Sequence, residues 1–430
     1  LSGSIVVSGL IEIEVTENYE NSTVNKILEL VENAIDKKAK TETFVNKAAK
    51  IYTPVVIGIA IIVAIFLPMV SNVQYLAENG SIYRALIFLV IACPCAIAIS
   101  VPLCYFSGIG KLSKEGILVK GSDYLDGLKD IKEIVFDKTG TLTKGKFIIE
   151  KVDVYDEAYP ENEILEYVAL GESFSNHPIA KSIVERVKID KDKNKVENYT
   201  EIAGKGIKYE LEGKSILIGN ASLVEQKEKD DENTKIYISI NSKLVGTIYL
   251  MDEIKHGTKK AIKELKEKNI EVKMFTGDNK SIAQSIAEKI DIDKVEADLL
   301  PNEKYKKLEV EIDKYKVKKG KVAFVGDGIN DSPVLALADI GISMGGVGSQ
   351  SAIEASDIVI MTDSIEKIND AIKISKKTNK IIKQNLIFSI GIKILVLILS
   401  MFGIANMWEA VFADVGATLI TVLNAIRILK

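Results

Sequence analysis

Two long segments without a single charged residue limit the possible folds of this chain more than any other feature. Residues 51–77 and 85–110 contain no Asp, Glu, Lys or Arg, and a third apolar region covers residues 386–429 with few interruptions. A helix needs about 20 apolar residues to cross a bilayer, so these regions predict four membrane-spanning helices. We place them at 51–77, 82–110, 384–403 and 407–429.

The charged residues are concentrated between the second and third predicted spans. Lysines follow the second span and precede the third, whereas the connection at residues 71–81 is poor in basic residues. The positive-inside rule therefore predicts a multi-pass protein of the cell membrane whose soluble part, residues 111–383, lies in the cytoplasm. The net charge of -4 gives no indication of nucleic-acid binding.

The soluble part predicts a doubly wound α/β domain with an insertion. Short apolar runs at 131–136, 272–275 and 322–325 each end in a loop rich in Asp and Gly and are followed by a helix-like stretch. Repetition of strand, loop and helix is typical of a parallel sheet whose ligands bind at the carboxyl ends of the strands. Residues 146–250 interrupt this pattern with shorter β-like runs and are interpreted as an inserted domain.

The loops after these strands carry the residues that phosphoryl transfer requires. A carboxylate can act as a nucleophile and form an aspartyl phosphate, and other carboxylates can hold Mg²⁺. Asp137 is the candidate nucleophile, and Asp327 and Asp331 are candidate magnesium ligands together with it. Backbone and hydroxyl groups at Thr276 and Gly277 are candidate donors to phosphate oxygens.

Four motifs in this order resemble the signatures of the P-type ATPases. They are Asp137-Lys138-Thr139-Gly140-Thr141-Leu142-Thr143, Thr276-Gly277-Asp278-Asn279, Pro301-x-x-Lys304 and the run from Gly326 to Pro333. The resemblance implies a haloacid-dehalogenase-like phosphorylation domain that uses ATP and Mg²⁺. It also implies catalytic roles for Asp137, Thr139, Thr141, Thr276, Gly277, Asp278 and Lys304, and a place for Asn330 at the nucleotide.

The inserted domain resembles the nucleotide-binding domain of the metal-transporting branch of that family. In this branch a His-Pro pair, a glutamate and a Gly-x-Gly sequence surround the adenine. The matching residues here are His177, Pro178, Glu201, Gly204 and Gly206. Paired glycines allow the backbone to approach a ligand closely.

The apolar segments carry a candidate site for a transported metal. Cys93-Pro94-Cys95 lies inside the second predicted span, where the proline opens the helix and the thiols suit soft ions such as Cu⁺, Zn²⁺ and Cd²⁺. Lys393 and Asp414 lie inside the last two spans, where ionisable residues indicate a functional site. Cys-Pro-Cys together with this Lys and Asp resembles the subgroup that exports zinc, cadmium or lead.

The resemblance implies a division of the whole chain. Residues 1–20 resemble the end of the family's actuator domain, and no Thr-Gly-Glu tripeptide of the kind that drives dephosphorylation occurs in the sequence. We therefore expect that this chain alone does not complete the transport cycle. The other parts are a connecting helix at 21–50, the phosphorylation domain at 111–145 and 251–368, the nucleotide-binding domain at 146–250 and a connecting helix at 369–383.

Three alternatives remain open from the sequence. A copper(I) exporter of the same architecture is compatible with Cys93 and Cys95, although Lys393 and Asp414 argue against it. A membrane-tethered phosphatase is disfavoured because Thr139 occupies the position where such enzymes carry a second Asp. The third alternative is an inactive fragment that binds nucleotide or metal. For the main hypothesis we expect ATP, a soft divalent ion and the lipid bilayer as partners, and a monomeric protein.

Overall fold

A computed structural model describes most of the chain. The described residues are 44–71, 73–77, 80–91, 93, 95–175, 177–187, 189, 195–225, 234–317, 320–327, 331–344, 354–401 and 406–430. The segment at 1–20, residues 21–43 of the connecting helix, Pro94 and Asn330 lie outside them. Predictions made for those residues have no structural counterpart.

The described strands form two sheets. In chain order they are β1 (Ile117–Val119), β2 (Ile131–Asp137), β3 (Thr143–Val154), β4 (Val196–Ile202), β5 (Gly206–Leu211), β6 (Lys214–Gly219), β7 (Thr234–Ile240), β8 (Lys243–Ile254), β9 (Glu271–Phe275), β10 (Lys294–Glu296), β11 (Lys321–Gly326), β12 (Ile340–Met344) and β13 (Ile358–Ile360). The first sheet has the order β1-β13-β12-β11-β2-β9-β10, and the second has the order β3-β8-β7-β6-β5-β4.

The seven-stranded sheet is parallel except where β1 pairs with β13. Its central strands β2 and β11 are buried along almost their whole length, as expected when helices cover both faces. The covering helices are α7 (Thr258–Glu267) and α8 (Lys280–Ile290) on one face, and α9 (Pro301–Lys316) and α10 (Ser332–Leu337) on the other. The fold class predicted for this part, a haloacid-dehalogenase-like α/β domain, is confirmed.

The six-stranded sheet is antiparallel and belongs to the inserted part of the chain. The helices α5 (Glu161–Glu172) and α6 (Pro178–Val184) contribute to its core. The long strands β3 and β8 pair from Thr143 with Ile254 onward, so the sheet extends beyond the predicted limits of 146 and 250 on both sides. Backbone pairing between these strands, which shifts register twice and which the residue pattern does not reveal, explains the difference.

Apolar helices form the rest of the described chain. They are α1 (Phe44–Val70), α2 (Ser81–Ile91), α3 (Cys95–Lys114), α11 (Glu366–Met401) and α12 (Met407–Ile426); a short α4 (Ser122–Gly127) lies between α3 and β2. Within the part of the chain that the structure describes, three regions are long and apolar enough to cross a membrane, namely Ser81–Lys114, Glu366–Leu399 and Met407–Ile426. The apolar helix Pro54–Val70 is shorter than the other three.

The helix boundaries differ from the predicted spans in three places. The helix predicted to reach residue 77 ends at Val70, and the span predicted at 82–110 consists of α2 and α3. A proline removes a backbone donor and disfavours a continuous helix, which accounts for the interruption at the Cys-Pro-Cys sequence. The helices predicted separately at 369–383 and 384–403 form one continuous helix, α11, because nothing between them breaks a helix.

Polar side chains join these apolar helices. The Ser81 hydroxyl donates to the carbonyl of Ala64 at 2.8 Å, which connects α2 with α1. The Asn385 amide donates to the carbonyl of Thr421 at 3.0 Å, which connects α11 with α12. Where few water molecules compete, such hydrogen bonds fix the relative position of neighbouring helices.

Candidate active site and metal site

Asp137 is the last residue of β2, the strand between β11 and β9. Its side chain is buried and faces two other groups from the same edge of the sheet. The Lys304 ammonium donates to Asp137 Oδ1 at 2.5 Å and to Asp331 Oδ1 at 3.1 Å. Lys304 comes from the first turn of α9 and Asp331 immediately precedes α10, so two helices and one strand position this cluster.

The carboxylates of this cluster outnumber its ammonium groups, so their negative charge is only partly compensated. Burial raises the pKa of Asp137 and the nearby Asp331 raises it further, while Lys304 opposes both effects. Burial also raises the pKa of Asp327, to about 6, and Asp137 adds to that shift. Burial alone would lower the pKa of Lys304, but Asp137 and Asp331 outweigh it and the pKa is raised. A cation added to these carboxylates would therefore be stabilised.

The donor set fits Mg²⁺. Asp137, Asp327 and Asp331 each offer a carboxylate oxygen, and these oxygens lie within 4.8 Å of one another. Oxygen ligands from carboxylates are those that Mg²⁺ prefers. The three residues predicted as magnesium ligands are thus brought together.

The loop after Asp137 makes a tight turn at residues 138–142. Gly140 has a φ of +72°, and a Cβ at this position would lie 1.7 Å from Asp327 Oδ2. Thr139 is exposed at the mouth of the site, whereas Thr141 is fully buried and its hydroxyl has no hydrogen-bond partner among the described residues. The ammonium of Lys255 donates to the carbonyl of Gly140 and to Asp363, the latter at 2.7 Å. These two hydrogen bonds stabilise the turn.

Thr276, Gly277 and Asp278 follow β9, next to Asp137 in the sheet. The backbone N–H of Asp278 donates to the Thr276 hydroxyl at 3.1 Å, which orients that side chain. Gly277 is exposed. The Asp278 carboxylate forms an ion pair with Lys138 at 2.5 Å and lies at the rim of the cluster.

Lys138 and Asp252 are site residues that the sequence reasoning did not single out. Lys138 is buried and also forms an ion pair with Asp252 at 3.0 Å, which in turn accepts from the Thr143 hydroxyl at 2.9 Å. Asp252 lies on β8, so this network connects the turn after Asp137 with the six-stranded sheet. The sequence signal for Lys138 was its place directly after the candidate nucleophile, within the first of the four motifs.

The residues predicted to surround adenine lie at one end of the six-stranded sheet. His177 is exposed, and its Nδ1 accepts from the backbone N–H of Ile179 at 3.3 Å as the cap of α6. The Ser175 hydroxyl donates to Glu201 at 3.2 Å. Gly204 and Gly206 have φ values of +70° and +142° in the turn between β4 and β5. Pro178 begins α6.

Glu172 is a further residue of this region that the sequence reasoning missed. It lies at the end of α5, and its side chain is buried. Burial raises its pKa to about 7, and the nearby Glu201 adds to that shift. The rings of Phe174 and Tyr199 lie close to each other here, with centroids 5.3 Å apart. The one sequence signal for Glu172 was its position five residues before His177.

The apolar helices hold a second cluster of ligand atoms. The sulfur atoms of Cys93 and Cys95 and a carboxylate oxygen of Asp414 lie within 4.8 Å of one another. Lys393 donates to Asp414 Oδ1 at 2.7 Å, to the carbonyl of Ile91 at 3.0 Å and to the carbonyl of Cys93. The two residues predicted to form a charge pair do so across α11 and α12, beside the interruption between α2 and α3.

The two cysteines of this cluster are joined by a disulfide. In that form neither sulfur is a thiolate, and the thiolate is the form of cysteine that binds metal. Metal binding by this pair therefore requires the reduced protein.

Comparison with known proteins gives consistent similarities. A family model of haloacid dehalogenase-like hydrolases matches residues 131–339. The whole chain is 45% identical to a cadmium, zinc and cobalt-transporting ATPase of Bacillus subtilis, of which it covers 62%, and 44% identical to a zinc-transporting ATPase of Synechocystis, of which it covers 60%. The chain thus spans about three fifths of the length of these curated relatives.

A solved structure is similar over nearly the whole described chain. The crystal structure of a zinc-transporting PIB-type ATPase in its E2·Pi state superposes with a TM-score of 0.86. The sequence identity is 30%, and the match covers 97% of this chain and 69% of the other. The similarity therefore includes the apolar helices as well as both sheets.

Proposed function

The chain belongs to the heavy-metal-transporting branch of the P-type ATPases, and from this membership we propose that it is the part of an ATP-driven pump that exports zinc, cadmium or lead. The observation that carries the proposal is the connection between the two clusters. The helix that begins at Cys95 leads into β1, and the helix that contains Lys393 follows β13. β1 and β13 pair with each other at the edge of the sheet that holds Asp137.

In the proposed reaction a carboxylate oxygen of Asp137 attacks the γ-phosphorus of ATP. A bond forms between this oxygen and phosphorus, and the bond from phosphorus to the oxygen that bridges to the β-phosphate breaks, so that ADP leaves. Lys304 holds the attacking carboxylate and offsets negative charge on the phosphoryl group. Mg²⁺ bound by Asp137, Asp327 and Asp331 would neutralise further charge on that group.

The proposed phosphoenzyme is long-lived because Thr139 replaces the general base that would activate a water molecule to attack the phosphorus. The residue two positions after Asp137 is the exposed Thr139, whose hydroxyl does not act as a general base near neutral pH. Thr276, whose hydroxyl is oriented by the N–H of Asp278, is available to hydrogen-bond the phosphoryl oxygens. A persistent intermediate suits energy coupling, in which a slow change of conformation follows phosphorylation.

The proposed cargo site combines the reduced thiolates of Cys93 and Cys95 with the carboxylate of Asp414. Thiolates favour soft ions and a carboxylate favours divalent ions, so the set suits Zn²⁺, Cd²⁺ or Pb²⁺ better than Cu⁺. Without metal, Lys393 neutralises Asp414. Metal binding would require Lys393 to leave that carboxylate, and its return would help to release the metal.

We further propose that ATP binds with its adenine near His177, Glu201 and the turn at residues 204–206.

We also propose that the two sheets face the cytoplasm. Six lysines of the first part of α11, residues 366–383, lie on the side of the membrane where the sheets are, as the positive-inside rule requires. Fusions of a fluorescent protein after residue 77 and after Lys430 test the orientation. Fluorescence of only the second fusion is expected, since it alone places the reporter in the cytoplasm.

A phosphorylation assay tests the function. The reduced, membrane-inserted chain is incubated with γ-labelled ATP and Mg²⁺, with zinc, cadmium, lead or reduced copper, and acid-stable label on the protein is counted. We expect label with the divalent soft metals and none without metal. Asp137→Asn should remove the label, and Asp123→Asn, a change on α4 away from the cluster, should retain it.

Other outcomes of this assay decide between the alternatives. Label that appears only with Cu⁺ would assign the chain to copper export. Label that turns over too fast to be trapped would favour a phosphatase. Absence of label with every metal would contradict the proposal for this chain.

A further inference from the structure

A row of lysines on α11 lies where the soluble part meets the apolar helices. Lys376, Lys380 and Lys383 are exposed, and no carboxylate of the described residues forms an ion pair with any of them. Their spacing of four and three residues places them on one face of the helix. Three adjacent ammonium groups repel one another, so this face is poised to bind an anion.

The lysine row continues directly into an apolar row on the same helix face. Ile387, Ile390 and Ile394 follow with the same spacing of four, three and four residues, and their exposed fractions are 74%, 47% and 52%. The change from lysine to isoleucine occurs between 383 and 387. Lys383 precedes Lys393 by about 15 Å along the helix, about half the thickness of the hydrocarbon layer. With Lys393 near the middle of the membrane, this change marks the headgroup boundary.

The lysine row forms one wall of a groove. The groove has a volume of about 410 Å³, and its lining includes Lys129, Lys376, Lys380, Lys383 and Ile387. Lys129 belongs to the segment before β2 and is held by Asp126 at 2.6 Å and by Asn379 at 3.1 Å. The groove is therefore shared by the sheet domain and by the membrane helix.

From this arrangement we propose that the groove binds the headgroup of an anionic phospholipid, with an acyl chain along Ile387, Ile390 and Ile394. Basic pockets on the cytoplasmic side of membrane helices attract anionic lipids, and the apolar row supplies a surface of matching polarity for the chain. The row from Ile387 to Ile394 is about 10 Å long, which fits within the roughly 15 Å of one leaflet. A soluble phosphate would use the lysines and leave the isoleucine row unused.

Fluorescence quenching in nanodiscs tests this proposal on the full chain. Trp408 is the single tryptophan, so Trp408→Phe with Ile387→Trp places one reporter at the boundary. Nanodiscs contain phosphatidylcholine with the same low mole fraction of either brominated phosphatidylglycerol or brominated phosphatidylcholine. Quenching by the anionic lipid is expected to indicate at least about fivefold enrichment, since one lysine near an anionic surface contributes about 1 kcal/mol.

Variants and a competitor separate the possible outcomes. Lys376→Gln with Lys380→Gln and Lys383→Gln should reduce the enrichment to about one, since the attraction is electrostatic. The matched change of three exposed lysines outside the groove, Lys132→Gln with Lys259→Gln and Lys263→Gln, should leave it intact. Equal quenching by both lipids in the unchanged lysine background, or enrichment that survives the first triple change, would overturn the proposal. Loss of enrichment on addition of millimolar inorganic phosphate would reassign the groove to a soluble anion.

Discussion

At the scale of single residues, Gly140 shows how closely the turn after Asp137 approaches its neighbours. The position combines a positive φ with a contact that no Cβ can make without moving Asp327. In Gly140→Ala we expect the displaced Asp327 to weaken the magnesium site and the phosphoenzyme label to fall by at least about tenfold, the loss typical when the support of a metal ligand is disturbed. The amount of acid-stable phosphoenzyme label at saturating ATP and zinc measures this loss.

Gly145→Ala is the matched control for that change. Gly145 also has a positive φ, of +64°, but a Cβ there would meet nothing within 4 Å. It therefore carries the strain of the left-handed conformation, about 1 kcal/mol, without the clash. If both variants lost the label equally, backbone strain rather than contact with Asp327 would explain the effect of Gly140→Ala.

Glu172 links the stability of the six-stranded sheet to pH. Its pKa is raised by burial from 4.5 to about 7, so the folded protein binds a proton that the unfolded chain releases. The resulting stability is present below about pH 4.5 and is lost as the pH rises to about 7, by an amount on the order of 3 kcal/mol. Glu172→Gln keeps the neutral form and should remove most of this pH dependence.

Hydrogen exchange of strands β4 to β6, corrected for the intrinsic rates, measures that prediction at pH 6 and pH 8. Protection should fall with pH in the unchanged chain and stay nearly constant in Glu172→Gln. The exposed Glu197 of β4 provides the control, since Glu197→Gln should leave the pH dependence as it is. A pH dependence that persists in Glu172→Gln would show that another group causes it.

At the scale of elements, a charge pair inside an apolar surrounding joins α11 and α12, in addition to the hydrogen bond between Asn385 and Thr421. Asp414 both pairs with Lys393 and lies beside the two sulfur atoms. In Asp414→Asn the loss of the charged ligand should raise the zinc concentration for half-maximal phosphoenzyme by at least about tenfold. Cadmium, which is softer and depends more on the thiolates, should be affected less.

Glu409→Gln is the control on the same helix. Glu409 lies in the first turn of α12, outside the cluster, and accepts from the backbone N–H of Asn406 at 2.6 Å. The amide retains an acceptor, so the zinc dependence should stay unchanged. An unchanged zinc dependence in Asp414→Asn would exclude this carboxylate as a ligand and leave it the role of locking two helices.

At the scale of the whole molecule, two short connections join the membrane helices to the phosphorylation site. One is Gly116, between α3 and β1, whose carbonyl accepts from the N–H of Met361 at 2.9 Å. Insertion of two glycines between Gly116 and Ile117 should release α3 from the sheet. We expect the label on Asp137 to lose its dependence on zinc, since the metal can no longer bias the position of the sheet.

The same insertion at Gly213, in the open hairpin turn between β5 and β6, provides the control. A Cβ at Gly213 would meet nothing within 4 Å, so this turn tolerates added chain. Zinc dependence should be retained there. If the insertion at Gly116 also retained it, the connection through α11 alone would carry the coupling.

Much of this architecture could be predicted from local sequence. The uncharged segments predicted the apolar helices, and the repetition of an apolar strand and an Asp-rich loop predicted a parallel sheet with Asp137 at a strand end. These features depend on hydrophobic burial and turn chemistry within one short segment, which a sequence pattern records directly. The resemblance to the P-type ATPases, confirmed by the comparisons, came from the same loops.

What the tertiary structure decided is which distant groups meet. The pairing of Lys138 with Asp252 and Asp278, the burial of Glu172 beside Glu201, and the groove beside Lys376, Lys380 and Lys383 were not visible in the sequence. Each depends on side chains that are far apart in the chain. Charge and burial at such places are properties of the neighbours that folding brings together, and the residue's own segment does not contain them.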